Sequence, residues 1–117
     1  MLVNLNPSNV AVNIAEDIRN SDAVTAVSAT ATASVALPAN PLRGGYSIYN
    51  AGAVTVFVRE NATVTSTLYK HPIPPGYLFE SDFSTSRYTG PIAVITASGT
   101  SSVMVSESTI ALYVWAN

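Results

Sequence analysis

Nucleophilic or acid–base chemistry needs a base beside a nucleophile, and this 117-residue chain has one histidine, His71. His71 opens the run His71-Pro72-Ile73-Pro74-Pro75-Gly76, in which three prolines fix φ and Gly76 releases it. The run predicts an exposed, stiff turn carrying a solvated imidazole, and no G-x-S-x-G elbow accompanies it. Glu80 and Asp82 stand two apart, so a strand would point both to one face, as a calcium cage or a glycosidase pair requires. Neither the further carboxylates nor the glycine of a calcium loop follow, so the pair reads as a solvated face. Gly44-Gly45 lacks the Gly-Lys-Ser/Thr and the helix of a phosphate loop. Asn61-Ala62-Thr63 matches a glycosylation acceptor but, without a secretory signal, reads as a loop. These residues predict no catalytic site, no cofactor and no metal.

The aromatic residues carry more information. Tyr46, Tyr49, Tyr69, Tyr77, Tyr88, Tyr113 and Phe57 would line a sugar-binding face or anchor a protein interface, where Tyr and Trp are enriched. Most alternate with apolar strand positions, so packing is their first expectation. Trp115, beside Tyr113 near the end of the chain, fits a docking strand better than an isolated surface.

These side chains need a scaffold, and the pattern around them is β. Arg43–Glu60 (RGGYSIYNAGAVTVFVRE) holds two runs of period-two alternation broken by Asn50-Ala51-Gly52-Ala53, which predicts a hairpin of central strands. Tyr46, Ile48 and Asn50 share one side; Ser47 and Tyr49 share the other. Asn50 and Gly52 would supply the positive φ of a tight turn. Before it, Ala23–Leu37 reads as one small-residue strand suited to an edge and closed by Pro38 and Pro41. After it, Tyr77–Glu80 restarts a strand, Ser81–Thr89 is polar loop, and Ile92–Thr96 is apolar enough to be buried on both faces. Val103 and Val105 flank Met104 in a further strand, and Ile110, Leu112 and Val114 alternate with Ala111, Tyr113 and Trp115.

Short strands with turn signals every eight to twelve residues or so predict an all-β fold. The expectation is a single antiparallel β-sandwich, jelly-roll or Ig-like, of about seven or eight strands. Residues 1–22 form an N-terminal arm or added element; Val10, Ile14 and Ile18 fit a helix, but a first strand of the sheet fits as well. Residues 23–117 form the sandwich. Its predicted core is Val35, Leu37, Ile48, Val54, Val56, Val58, Leu78, Ile92, Val94, Val103 and Val105.

Composition narrows the partners. Charged residues are 10 % of the chain and the net charge is −2, against a globular norm of about 25 % charged. Arg19, Arg43, Arg59, Lys70 and Arg87 are scattered and make no patch for a phosphate backbone, which argues against nucleic acid. There is no cysteine, hence no disulfide framework or thiolate metal site. The N-terminal residues lack a signal-peptide pattern, and no apolar run approaches the ~20 residues of a membrane span. The expected chain is soluble, made in a cytoplasm and without a membrane partner.

The order of motifs is similar to a known group. Leu37-Pro38-Ala39-Asn40-Pro41-Leu42-Arg43, Tyr46-Ser47-Ile48-Tyr49-Asn50 and Val54-Thr55-Val56-Phe57-Val58 come first. Ile73-Pro74-Pro75-Gly76-Tyr77-Leu78-Phe79-Glu80, Tyr88-Thr89-Gly90-Pro91-Ile92 and Thr96-Ala97-Ser98-Gly99-Thr100 follow. The series resembles small β-sandwich modules of tailed-bacteriophage virions, namely capsid decoration (cement) proteins and head or tail appendages. The resemblance covers residues 25–108. It implies a non-enzymatic virion protein on the capsid exterior, whose partners are the major capsid protein and copies of itself, as a homotrimer. A receptor- or glycan-binding module of a fibre or appendage is the alternative, and a hydrolase built on His71 with Glu80 or Asp82 is a third reading. The expected interface lies in the two ends outside the resemblance, at Leu2, Val3, Leu5, Ile14, Ile18, Tyr113 and Trp115.

Overall fold

The structure, a computed structural model, describes residues 14–81 and 87–115, with side chains described from 22 to 81 and from 87 to 110. Its eight strands are β1 (Ile14–Ala29), β2 (Ser34–Leu37), β3 (Arg43–Asn50), β4 (Val56–Arg59), β5 (His71–Ile73), β6 (Leu78–Ser81), β7 (Ile92–Thr96) and β8 (Ser101–Trp115). They form two four-stranded antiparallel sheets, ordered β1-β8-β3-β6 and β2-β7-β4-β5. This is the expected sandwich, and its strand order is that of a jelly roll, two interleaved Greek keys. Inward-facing side chains alternate with outward ones along strands such as β4 and the described part of β8 and fill the space between the sheets.

The Arg43–Glu60 segment is not a hairpin. β3 pairs with β6 and β8, whereas β4 pairs with β5 and β7, so Ala51–Thr55 crosses from one sheet to the other. The two strands are interior to their sheets, as expected. Gly52 does not have positive φ; among the described residues only Gly76 and Gly99 do. Gly52 is required by close approach instead: a Cβ there would lie 2.7 Å from the Ser101 Cα and 2.8 Å from its Cβ. The Ala23–Leu37 stretch likewise divides between two strands. β1 ends at Ala29 and β2 starts at Ser34 in the opposite sheet, each on an edge. The crossing is held by Thr30, whose hydroxyl accepts the Thr32 N–H at 3.2 Å while its carbonyl accepts the Thr96 N–H at 2.8 Å.

His71-Pro72-Ile73 is an edge strand, not a turn. Proline is tolerated there because an edge strand leaves one ladder side unpaired, and Ile73 is buried. The turn follows one residue later: the Tyr77 N–H donates 3.1 Å to the Pro74 carbonyl, with Gly76 at φ 80°. Pro at the second position and positive-φ Gly at the third make it type II.

The core contains Leu37, Ile48, Val56, Val58, Ile92, Val94, Val103 and Val105, as the sequence predicts, together with Ala29, Ala36, Tyr46 and Ile73. Val54 is half-buried. Two expected core residues face solvent. Val35 is 45 % exposed because the β2–β7 register shifts between Val35 and Leu37, turning Ala36 and Leu37 inward. Leu78 is 54 % exposed; its neighbour Phe79 packs against the core, 5.9 Å from the Tyr46 ring.

Candidate functional site

Three arrangements organise the molecule beyond its core: a buried arginine clamp, a groove on an outer sheet face and a ribbon that outruns the sandwich. The clamp is Arg43, completely buried at the start of β3. Its Nε donates 2.8 Å to Glu107 Oε2, Nη1 donates to the Tyr88 and Gly90 carbonyls at 3.1 and 2.7 Å, and Nη2 donates to the Pro38 carbonyl at 2.6 Å. A planar guanidinium suits this role because its fork satisfies several acceptors at once. Close by, the Tyr46 hydroxyl donates 2.8 Å to Glu60 Oε2, and Lys70 Nζ donates 3.0 Å to Glu60 Oε1. Burial, and next the Glu60 carboxylate, push the Tyr46 phenol well above its ordinary range. Burial also raises Tyr88, whose hydroxyl donates 2.7 Å to the Pro91 carbonyl. Apart from the exposed Lys70–Glu60 pair, these contacts are directed inward, and all of them hold segments together.

The outer face of the first sheet is different. Ser47 on β3 stands opposite Ser106 of β8 and Glu80 of β6, and one step along, Ser108 stands opposite both Gly45 and Asp22. Small side chains in the middle of the sheet and longer carboxylates towards its edges leave a groove of ≈ 380 Å³ lined by these residues. The Ser106 hydroxyl donates 3.2 Å to Asp22 Oδ1. Ser108 is only 8 % exposed, and its hydroxyl has no hydrogen-bond partner among the described residues. No described Lys, Arg or His lines the groove. Next along the same face, Tyr49 pairs with Met104 and Leu78 in an apolar shelf, where Tyr49 and Met104 are 40 % and 39 % exposed.

The ribbon follows from strand length. β3 pairs with β8 between Asn50↔Val103 and Arg43↔Thr109, but β1 continues along β8 to Ile14↔Trp115. The Ile110 N–H still donates 2.8 Å to the Leu42 carbonyl; from Ala111 outward the two strands pair, among the described residues, only with each other, over about 14 Å at the rise of an antiparallel strand. The expected N-terminal arm enters here, with residues 14–22 being the outer half of β1.

Of the interface residues expected from the sequence, Ile14, Ile18, Tyr113 and Trp115 lie in the ribbon backbone. The register sets Ile14 opposite Trp115, Glu16 opposite Tyr113 and Ile18 opposite Ala111. Leu2, Val3 and Leu5 lie outside the described residues, as does Asp82. Glu80 is exposed at the groove, while His71 belongs to the other sheet, with its ring 4.4 Å from that of Phe79 and its Nδ1 2.8 Å from the Pro72 carbonyl. No nucleophile–base contact involves it among the described residues. Asn61 caps an Asx turn by accepting the Thr63 N–H at 3.1 Å. Sequence reasoning missed the groove residues Asp22, Ser47, Ser106 and Ser108 and the clamp Arg43. Ser106 and Ser108 alternating with Val105 and Glu107 was the available signal, but it takes the strand partners to turn a serine stripe into a concavity.

Fold and site together define a jelly-roll sandwich with one polar outer groove and one projecting ribbon. Comparison with protein-family models finds no match to the chain, and comparison with curated proteins finds no relative.

Proposed function

We propose that the chain is a non-enzymatic structural protein of a tailed-bacteriophage virion that binds the outside of the capsid shell and stabilises it, assembling as a homotrimer. The observation that carries this reading is the β1–β8 ribbon. Beyond Ile110 its two strands pair, among the described residues, only with each other, and such a ribbon offers a row of backbone donors and acceptors on each edge, a template for adding a strand from another chain. A chain with so few charges presents its polar surface mainly as Ser, Thr and Asn hydroxyls and amides, which carry no electrostatic repulsion between copies. Such a ribbon laid across a neighbouring shell subunit would add backbone hydrogen bonds and apolar area, the latter at ~25 cal/mol per Å². The major capsid protein and further copies of the chain are then its partners, and the capsid exterior is its location after synthesis in the host cytoplasm.

The test is co-sedimentation of the purified chain with undecorated phage shells, together with its sedimentation velocity alone. The expected result is saturable binding at hundreds of copies per shell, by a species of trimer mass. A chain that remains monomeric and never sediments with shells overturns the reading; saturation at a few tens of copies turns it into an appendage. The second reading, a receptor- or glycan-binding module, is favoured by the groove alone.

A further inference from the structure

We infer that the groove on the outer face of the β1-β8-β3-β6 sheet is a saccharide site, taking a neutral sugar whose hydroxyls enter between Asp22 and Glu80. The inference gives the second reading its ligand class and is independent of shell binding through the ribbon.

The chemistry of the lining selects this class. Ser47 and Ser108 each offer a hydroxyl that both donates and accepts, Ser106, whose proton goes to Asp22, still accepts, and Asp22 and Glu80 only accept. A cationic side chain has donors and no acceptors, so it would engage the carboxylates and leave the donor capacity of the serines idle. An anion would meet two carboxylates and no described cation. A sugar hydroxyl is both donor and acceptor, and it matches the whole set. Ser108 is the second, independent indication. As a residue it is more than nine-tenths buried, its hydroxyl has no hydrogen-bond partner among the described residues, and it lines the groove; a polar group so placed calls for a partner, which an entering hydroxyl would supply.

Size and surroundings agree. A volume of ≈ 380 Å³ falls at the lower end of the range for small-ligand sites, about 300–1,000 Å³, room for one or two pyranose rings. Tyr49 lies two residues beyond Ser47 on the same face, about 7 Å along the strand, roughly the step to the next sugar ring. Its exposed ring with Met104 and Leu78 offers an apolar shelf for the C–H face of that ring.

The experiment is an NMR titration of the isotope-labelled full chain with neutral glucose-, galactose- and N-acetylglucosamine-based tetrasaccharides, with tetralysine as the contrast. The expected result is that one or more saccharides shift the Gly45, Ser47, Ser106 and Ser108 amides, with little change when salt rises from about 0.1 to about 0.5 M. The double substitution Asp22→Ala, Glu80→Ala, both at exposed positions, weakens that binding about tenfold or more with an unchanged thermal midpoint. The same variant retains the wild-type level of shell co-sedimentation, which separates this inference from the ribbon. No shift with any saccharide overturns the site, as do shifts confined to other faces. Salt-sensitive binding of tetralysine alone also overturns it and makes the groove a basic-peptide site.

Discussion

The Ser101 hydroxyl donates 2.6 Å to Asn50 Oδ1, joining residues 51 apart in sequence at the corner where the chain leaves one sheet for the other. Asn50 uses its whole amide there: Nδ2 donates to the Val54 and Ile73 carbonyls at 2.7 and 2.8 Å, and Oδ1 also accepts the Gly52 N–H at 3.0 Å. One buried side chain thus ties β3, the crossing, β5 and the start of β8. Asn50→Ala strands these groups and is expected to lose about 3 kcal/mol, read by denaturant unfolding. Gly52→Ala is expected to lose about 1–3 kcal/mol by overpacking. Adding Ser101→Gly recovers little, because the Ser101 Cα itself is in the way. Full recovery in that double variant is the result that sinks this account.

Arg43 is the second brace, and its partners rank the substitutions. Three of its four hydrogen bonds end on backbone carbonyls, so Glu107→Gln leaves most of the clamp intact. Arg43→Met removes every donor and strands the partly buried Glu107 carboxylate, for an expected loss of about 3–5 kcal/mol. Arg43→Lys falls between the two, since a point charge cannot reproduce the fork. Chemical unfolding of all three variants gives the order, and a Glu107→Gln variant as unstable as Arg43→Met contradicts it.

Tyr46 predicts the behaviour in alkali. The folded state holds the phenol proton more tightly than the unfolded chain, through burial first and the Glu60 carboxylate next. Unfolding therefore releases protons above the ordinary tyrosine value of about 10. The contribution is complete below that pH and is lost as pH rises above it. Stability measured from about pH 9 to 12 should fall steeply in the wild type and less steeply in Tyr46→Phe. Equal slopes would show that Tyr46 is not the group responsible.

Ile73 and Leu78 form a matched contrast. Ile73 is 1 % exposed on the edge strand β5, although it sits among prolines, and Ile73→Ala should lose about 2–5 kcal/mol. Leu78→Ala, on the outer shelf, should stay within about 0.5 kcal/mol of wild type. Thermal or denaturant unfolding distinguishes the two, and a large loss at Leu78 would mean that something covers the shelf.

Deletion of Tyr113–Asn117 removes the outer end of the ribbon and leaves the β3-paired part of β8 untouched. Shell co-sedimentation should drop about tenfold or more while the unfolding midpoint of the sandwich moves little. Unchanged binding removes the ribbon from the proposed mechanism.

The fold class was legible because period-two alternation survives in strands such as β3, β4 and β8. Tyr46 and Ile48 inward with Ser47 and Tyr49 outward is what β3 does. Connectivity was not legible in the same way. A run ending in Asn-Ala-Gly looks alike whether the next strand pairs with it or crosses to the facing sheet. The distinguishing clue was that Asn50 falls on the apolar side with Tyr46 and Ile48: a buried amide needs four partners, and a two-residue turn cannot supply them all. The crossing at Thr30 was hidden because no Gly or Pro marks it. Of the site, the ribbon residues at the ends were singled out as interface candidates, but the groove was not, since Asp22, Ser47 and Ser108 come from three strands that only the register brings side by side.

The order of synthesis has a consequence in this topology. Among the described strands only β4 and β5 are neighbours both along the chain and within a sheet, and β8, the eighth in chain order, lies between β1 and β3. The first sheet therefore cannot close until β8 has been synthesised, and nearly every pairing joins distant residues. Such nonlocal folds form slowly, over milliseconds to seconds or so, with unpaired edges exposed meanwhile. A chain truncated within the β3-paired part of β8, before Thr109, loses the middle of its sheet rather than a margin, and it should emerge as an aggregate, not as a smaller sandwich.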